Sequence, residues 1–203
     1  MKLGRRAFLV ASTLALTVRA DDGLDALLAD IATARKSMRS LRADLEQKRT
    51  ITLMATTIAS KGRMTYLAPD RLRWELFPPD GVVYFVGPEG LAYRTSSSSA
   101  SVPAQGANVG KALTDLRALV GGDLAALKDR YTLSGSRSDT EAKIEGVAKD
   151  PKASSVRAFT LVLDKTLTLP VRAKLTEGKS DAIDVTFTNA QANVDVDPKT
   201  MRP

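Results

Sequence analysis

The sequence predicts an α+β, mainly β fold: one large curled antiparallel sheet of about ten to eleven strands, with about three helices over its concave face. Three observations carry this expectation. The stretch from Ser60 to Phe77, SKGRMTYLAPDRLRWELF, alternates apolar and polar residues in two successive runs, the period of strands with one buried and one wet face. The last third of the chain repeats that period in five more runs divided by turn residues. Helical periodicity is confined to one stretch near the start and two short ones in the middle. So few helices cannot hold so long a sheet flat, so it curls and the helices plug the trough that results.

In the first hairpin, Met64 and Tyr66 point one way and Arg63 and Thr65 the other. Leu72, Trp74 and Leu76 then lie opposite Arg71, Arg73 and Glu75. Ala68-Pro69-Asp70 is the turn between them, because Pro69 has no N–H for a ladder and biases Ala68 towards an extended backbone. The chain's single tryptophan thus stands on the apolar side.

Taken in order, the chain opens with an apparent export signal over residues 1–20. Lys2, Arg5 and Arg6 precede the apolar run Ala7–Val18, and Val18-Arg19-Ala20 ends on a small residue. The run is shorter than the roughly 20 residues that span a bilayer, so cleavage rather than anchoring is expected. Arg5-Arg6-Ala7-Phe8-Leu9 fits a twin-arginine as well as a general secretory route. Removing Lys2, Arg5, Arg6 and Arg19 takes the formal charge from +7 to +3. A mildly basic remainder with interspersed charges gives little reason to expect nucleic acid. Residues 21–203 are expected to form one domain.

Leu24, Leu27, Leu28, Ile31, Met38 and Leu41 recur at helical spacing, with Asp21 and Asp22 before them and Arg35, Lys36, Arg39 and Arg42 towards the end. That polarity suits a helix dipole and predicts a helix ending near Arg39 to Arg42. From Leu41 the period changes to two: Leu45, Gln47 and Arg49 share a face, and Ile51 and Leu53 continue it. A turn or bulge is expected in Met54–Ile58. After the hairpin, Pro78-Pro79-Asp80-Gly81 stops the chain, and strands follow over Val82–Val86 and Leu91–Thr95 around a Gly87–Gly90 turn. The serine-rich stretch Thr95–Gly110 lacks apolar bulk and reads as a mobile loop. Ala112 to Val120 then reads as a helix stopped by Gly121-Gly122, and Asp123 as the cap of a second short helix. Five strands complete the chain: Tyr131–Ser134, Glu141–Val147, Val156–Asp164, Val171–Glu177 and Ala182–Ala190.

No catalytic constellation emerges. The chain has neither cysteine nor histidine, which removes thiol and imidazole chemistry. Asp70, Glu75, Asp80 and Glu89 sit where turns and solvated faces want charge, and Ser96–Ser99 has no base to activate it. Asp195-Val196-Asp197 lacks the surrounding oxygen ligands of a cation site. The expectation is a protein that is not an enzyme and holds no metal or cofactor.

Leu45-Glu46-Gln47-Lys48, Gly62-Arg63-Met64, Pro69-Asp70-Arg71-Leu72-Arg73-Trp74-Glu75 and Leu91-Ala92-Tyr93 resemble, in order and spacing, the LolA-type periplasmic carriers of outer-membrane lipoproteins. The segment from Leu116 to Leu127 is similar to a divergent branch of that family. The resemblance implies an unclosed half-barrel sheet whose cavity shields the acyl chains of a lipoprotein crossing the periplasm. It implies a cavity lined by Met64, Tyr66, Leu72, Trp74, Leu91, Tyr93, Phe159, Leu161 and Leu163, with Leu113, Leu116 and Leu119 on a lid. It further implies an inner-membrane releasing transporter and an outer-membrane acceptor as partners of a monomeric, unanchored carrier. Many members place an arginine directly before the hairpin proline, implicated in holding the lid, where this chain has Ala68. Two alternatives stand beside the lipoprotein reading: a carrier or sensor of another hydrophobic envelope molecule such as a glycolipid or pigment, and a protein-interaction module whose open sheet edges pair with an envelope machine.

Overall fold

The computed structural model describes residues 20–102, 115, 117–122, 124–152, 154, 156–178 and 180–203. The predicted export segment lies outside them apart from Ala20, as do most of the expected loop after Val102 and the lid residues Leu113 and Leu116. A helix, α1 (Ala20–Arg35), leads into eleven strands. They are β1 (Ser40–Ile51), β2 (Thr56–Leu67), β3 (Arg71–Leu76), β4 (Val82–Gly87), β5 (Gly90–Arg94), β6 (Ser99–Val102), β7 (Tyr131–Arg137), β8 (Glu141–Ala148), β9 (Val156–Asp164), β10 (Pro170–Glu177) and β11 (Asp181–Ala192). Helical backbone also occurs at 117–121, and single 3-10 turns at Thr52–Met54, Ala125–Leu127 and Pro198–Met201.

All eleven strands form one unclosed sheet in the order β6-β5-β4-β3-β2-β1-β11-β10-β9-β8-β7. Each pair of neighbours is antiparallel. Two meanders therefore run outward from a central seam where β1 pairs with β11. The sheet curls. Trp74 on β3 and Phe187 on β11 are three strand spacings apart, about 14 Å in a flat sheet, yet their rings meet edge to face at 6.1 Å between centroids. Alternation puts Leu41, Ala43, Leu45, Met64, Leu72, Trp74, Ile144, Leu161 and Leu175 in one buried cluster. Arg63, Lys61 and Lys174 on the opposite phase stay exposed.

The helices lie over that apolar face. Leu27 and Ile31 of α1 join the same cluster as Leu119, Val120, Leu124 and Leu127. At the β7 end the fit is close: a Cβ on Gly135 would meet Leu27 and Leu24 of α1 at 2.9 and 3.2 Å.

Three expectations need correction. α1 ends at Arg35 rather than near Arg39 to Arg42, because the chain turns there, with Lys36 N–H bonded to Thr33 and Met38 N–H to Arg35. Strand pairing then claims the backbone from Ser40, opposite Leu67, and pairing overrides helical spacing. Within the expected mobile loop, Ser99–Val102 is a strand at the sheet edge, in register with Leu91–Arg94 of β5. The ladder needs backbone groups, not bulk. The Thr95 hydroxyl shapes the preceding turn by accepting from the N–H groups of Ser97 and Ser98. The second short helix is a single 3-10 turn, and Asp123 lies outside the described residues. Asp195 and Asp197 are exposed, and the Asp197 carboxylate caps the last 3-10 turn by accepting from Lys199 N–H. That turn seats Met201 on the outer face beside Phe85 and Ala92, and all three are buried there.

Gly62 has a packing reason. A Cβ at this position would stand 2.0 Å from the Glu75 carbonyl oxygen of the paired strand, closer than any neighbour can tolerate. Gly62→Ala is therefore expected to destabilise the fold by at least about 1–3 kcal/mol. Gly23→Ala, with nothing within 4 Å on an exposed stretch of helix, leaves stability equal or raises it by up to about 1 kcal/mol. Urea denaturation followed by circular dichroism checks both.

Candidate functional site: a lidded apolar trough

Cross-strand register arranges the concave face in rows. Tyr84, Trp74, Met64 and Ala43 stand side by side on β4, β3, β2 and β1. Leu91, Val86, Leu72, Tyr66 and Leu41 form the next row. In the other half of the sheet Leu161 lies between Ala173 and Ile144, and Phe159 between Leu175 and Gly146. Gly146 makes the seat for that ring, since a Cβ there would be 2.3 Å from Phe159 Cε1. The ring's other contact is Tyr131, edge to face at 5.1 Å.

The structure brings the nine residues of the implied lining to one face. Met64, Tyr66, Leu72, Trp74, Leu91, Phe159, Leu161 and Leu163 are buried and Tyr93 is half-buried. What covers them is protein: α1 on one side, and Leu119, Val120, Leu124 and Leu127 from the segment after the 103–114 stretch. Of the lid residues, Leu119 is fully buried against the trough, while Leu113 and Leu116 lie outside the described residues.

That segment is held by polar ties. Arg35, at the last position of α1, is 5 % exposed. Its Nη1 donates to the carbonyls of Leu119 at 2.9 Å and Val120 at 2.8 Å, and its Nε donates to Leu167 at 3.1 Å. The carbonyls of Leu119 and Val120 sit at the end of the 117–121 helical stretch, where intrahelical partners run out and a cation is favoured. Gly122 ends the stretch with φ of 84°, its N–H bonded to Ala118, and a Cβ there would lie 3.0 Å from Arg35 Cδ. Burial lowers the Arg35 pKa to about 10, partly offset by the Asp164 charge, so the guanidinium remains charged at neutral pH.

Two further ties flank this one. Arg117 Nη1 donates to the Asp70 carbonyl in the β2–β3 turn at 2.9 Å. Asp115, itself buried, accepts from the Tyr131 hydroxyl at 2.6 Å and pairs with Arg130. Burial and that bond to a carboxylate push the Tyr131 pKa well up, so the phenol stays a donor. Tyr66 completes the contact: its hydroxyl donates to Pro69 at 2.6 Å, and a Cβ at Gly121 would sit 2.9 Å from it.

The pattern of the outer membrane lipoprotein carrier protein LolA matches residues 36–202. The chain belongs to the LolA family. Among curated proteins, none matches this sequence. Solved structures of similar fold include a Vibrio parahaemolyticus domain of the outer membrane lipoprotein-sorting type, at 11 % identity and a TM-score of 0.53. It covers 90 % of this chain and 97 % of its own. A DUF1329 family protein from Desulfovibrio piger has the same identity and coverages at a TM-score of 0.52. The Pseudomonas aeruginosa MucA/MucB complex gives 15 % identity and a TM-score of 0.50, over 90 % of this chain and 61 % of that one.

The residue before the hairpin proline is Ala68, and the guanidinium that bonds the Leu119 and Val120 carbonyls comes from α1. Arg71 and Arg73 do not take that place: they pair with Glu89 and Glu75. Sequence reading assigned Arg35 to the helix dipole and missed this role. The signal was spacing, since Arg35 lies four residues after Ile31, and Ile31 four after Leu27, on the buried stripe.

Arg35→Ala leaves three buried carbonyls without their donor. Hydrogen bonds to a charged group are worth about 1.5–3 kcal/mol, and the expected result is a stability loss of that size. Hydrogen exchange should localise it, with amides of 117–122 losing protection before those of the central strands. Arg35→Lys, whose single ammonium cannot span three carbonyls in the same fork, is expected to fall between.

Proposed function

We propose that this LolA family protein is a periplasmic carrier that shields the acyl chains of outer-membrane lipoproteins in the trough during transit, taking cargo from an inner-membrane releasing transporter and yielding it to an outer-membrane acceptor. The observation that carries the proposal is the pairing of an apolar concave face with a cover held on by a few hydrogen bonds. A core needs no removable cover. Each methylene transferred from water is worth about 0.8 kcal/mol, so acyl chains can supply the free energy needed to displace Leu119, Val120 and their neighbours and break the Arg35 bonds. Release follows the same path in reverse, against a competing acceptor. No step calls for bond chemistry, a metal or a cofactor.

A second reading, a lipid with a polar headgroup such as a glycolipid, is favoured by one feature of the same face. Arg49 continues the phase of Leu45 and stands between Ile58 and Ile183. Burial raises the Tyr84 pKa and the Arg49 charge opposes that rise, so the guanidinium is within electrostatic reach of the phenol across the sheet. The Arg49 side chain is 41 % exposed and pairs with Glu177 at 3.5 Å, so a polar headgroup entering with the chains could bond it by exchanging with that carboxylate.

Native mass spectrometry of protein purified from its own cells tests the two readings. Co-purified acylated peptide supports the first and a defined small lipid the second. A fluorescent fatty acid tests the trough itself. It is expected to bind at one site and quench Trp74. Tyr93→Asp places a charge on the apolar face at a half-buried position where the fold tolerates it, and is expected to weaken binding about tenfold or more. Binding that is absent in the unaltered protein, or indifferent to Tyr93→Asp, removes the carrier reading.

A further inference from the structure

We propose that the tip of the β1–β2 hairpin is a membrane-docking device that inserts Leu53 and Met54 into the interface of a lipid bilayer. Four large apolar residues are exposed among the described residues, and three of them lie here: Leu53 at 96 %, Met54 at 69 % and Ile58 at 44 %. Among the described residues the one other large apolar side chain so exposed is Val147 on β8.

The tip is built to present them. Residues 56–61 of β2 have no partner on β3, which pairs only with Gly62–Leu67. The hairpin therefore projects past β3 by about 20 Å at strand rise. The apex is braced rather than loose. Thr52 N–H donates to the Asp181 carboxylate at 2.9 Å and Thr52 Oγ1 to the Ser180 carbonyl at 3.0 Å. Ala55, the exit residue, is left-handed at φ of 48°, with its N–H bonded back to Thr52. A non-glycine residue in that region is strained, and the strain turns Leu53 and Met54 outward.

Charge and shape select a bilayer. From Gln47 to Pro69 the chain carries Lys48, Arg49, Lys61 and Arg63 and no acid. Three of these are paired with facing acids, Lys61 with Glu46, Arg49 with Glu177 and Arg63 with Asp44, while Asp181 accepts from Thr52 and Asp184, opposite Lys48, pairs with Lys174. Lys48 is exposed, with no ion pair among the described residues. An apolar apex whose neck charges are paired except for one exposed lysine matches acyl chains behind lipid headgroups. A four-residue convex tip cannot cover the roughly 800 Å² that a stable protein interface takes from each partner. Two side chains give contact that forms and dissolves readily, which suits a carrier that must leave. The tip also continues the concave phase through Ile58 and Arg49, so docking would bring the trough's mouth to the lipid.

The chain has no cysteine, so Leu53→Cys offers one site for an environment-sensitive dye. With vesicles of phosphatidylethanolamine and phosphatidylglycerol, the dye at position 53 is expected to shift to the blue. The dye on Val147→Cys, an exposed apolar position on β8 at 60 %, is expected to stay unshifted. In flotation, the Leu53→Ser/Met54→Ser variant should partition at least about tenfold less than the unaltered protein, with salt and purely zwitterionic vesicles lowering binding further. Its affinity for the fluorescent fatty acid should be unchanged, so the result is separable from the fate of the carrier reading. Equal flotation of variant and unaltered protein, no flotation of either, an unshifted dye at 53, or a tip that captures a protein partner but not vesicles would overturn the proposal.

Discussion

One face of an eleven-stranded sheet is continuously apolar, and nearly every other feature of the molecule answers that fact. The sheet cannot close, because β6 and β7 end it at opposite edges, so its inner face must be covered by something other than itself. Curling reduces the problem by bringing distant strands together, as the contact of Trp74 with Phe187 shows. α1 and the 117–127 stretch cover what is left, and their burial is what makes them helical at all, since segments this short are marginal alone.

The cover is attached by a different kind of force from the one that makes it necessary. Apolar burial is non-directional and would accept Leu119 or an acyl chain alike. Direction comes from Arg35, Arg117 and Asp115, which tie the segment to the β9–β10 turn, the β2–β3 turn and Tyr131. The covering segment is thus held by few directional bonds over a face whose burial is non-directional. The Arg35 bonds tie the covering segment to the end of the first helix of the fold.

The sheet is also asymmetric along its strands. At one end the β9–β10 and β2–β3 turns are gathered under the lid. At the other, β1 and β2 run on past β3 and carry exposed leucine and methionine. The outer face has its own small apolar nest at Phe85, Ala92 and Met201, which holds the C-terminal turn against the sheet without touching the trough.

Strand phase needs only neighbours two residues apart, so the sequence by itself determined the meander and its continuous apolar face. Local rules failed where the deciding contact was remote. Ser99–Val102 has no bulk, yet becomes a strand because β5 offers it a ladder. Helical spacing continues past Arg35, but β2 and β11 claim the chain from Ser40. Arg35 looked like a dipole residue because its partners, Leu119, Val120 and Leu167, are 84 to 132 positions away. Which arginine latches the lid was settled only by tertiary structure, because a buried guanidinium goes where carbonyls converge, and that convergence exists only once the sheet has curled.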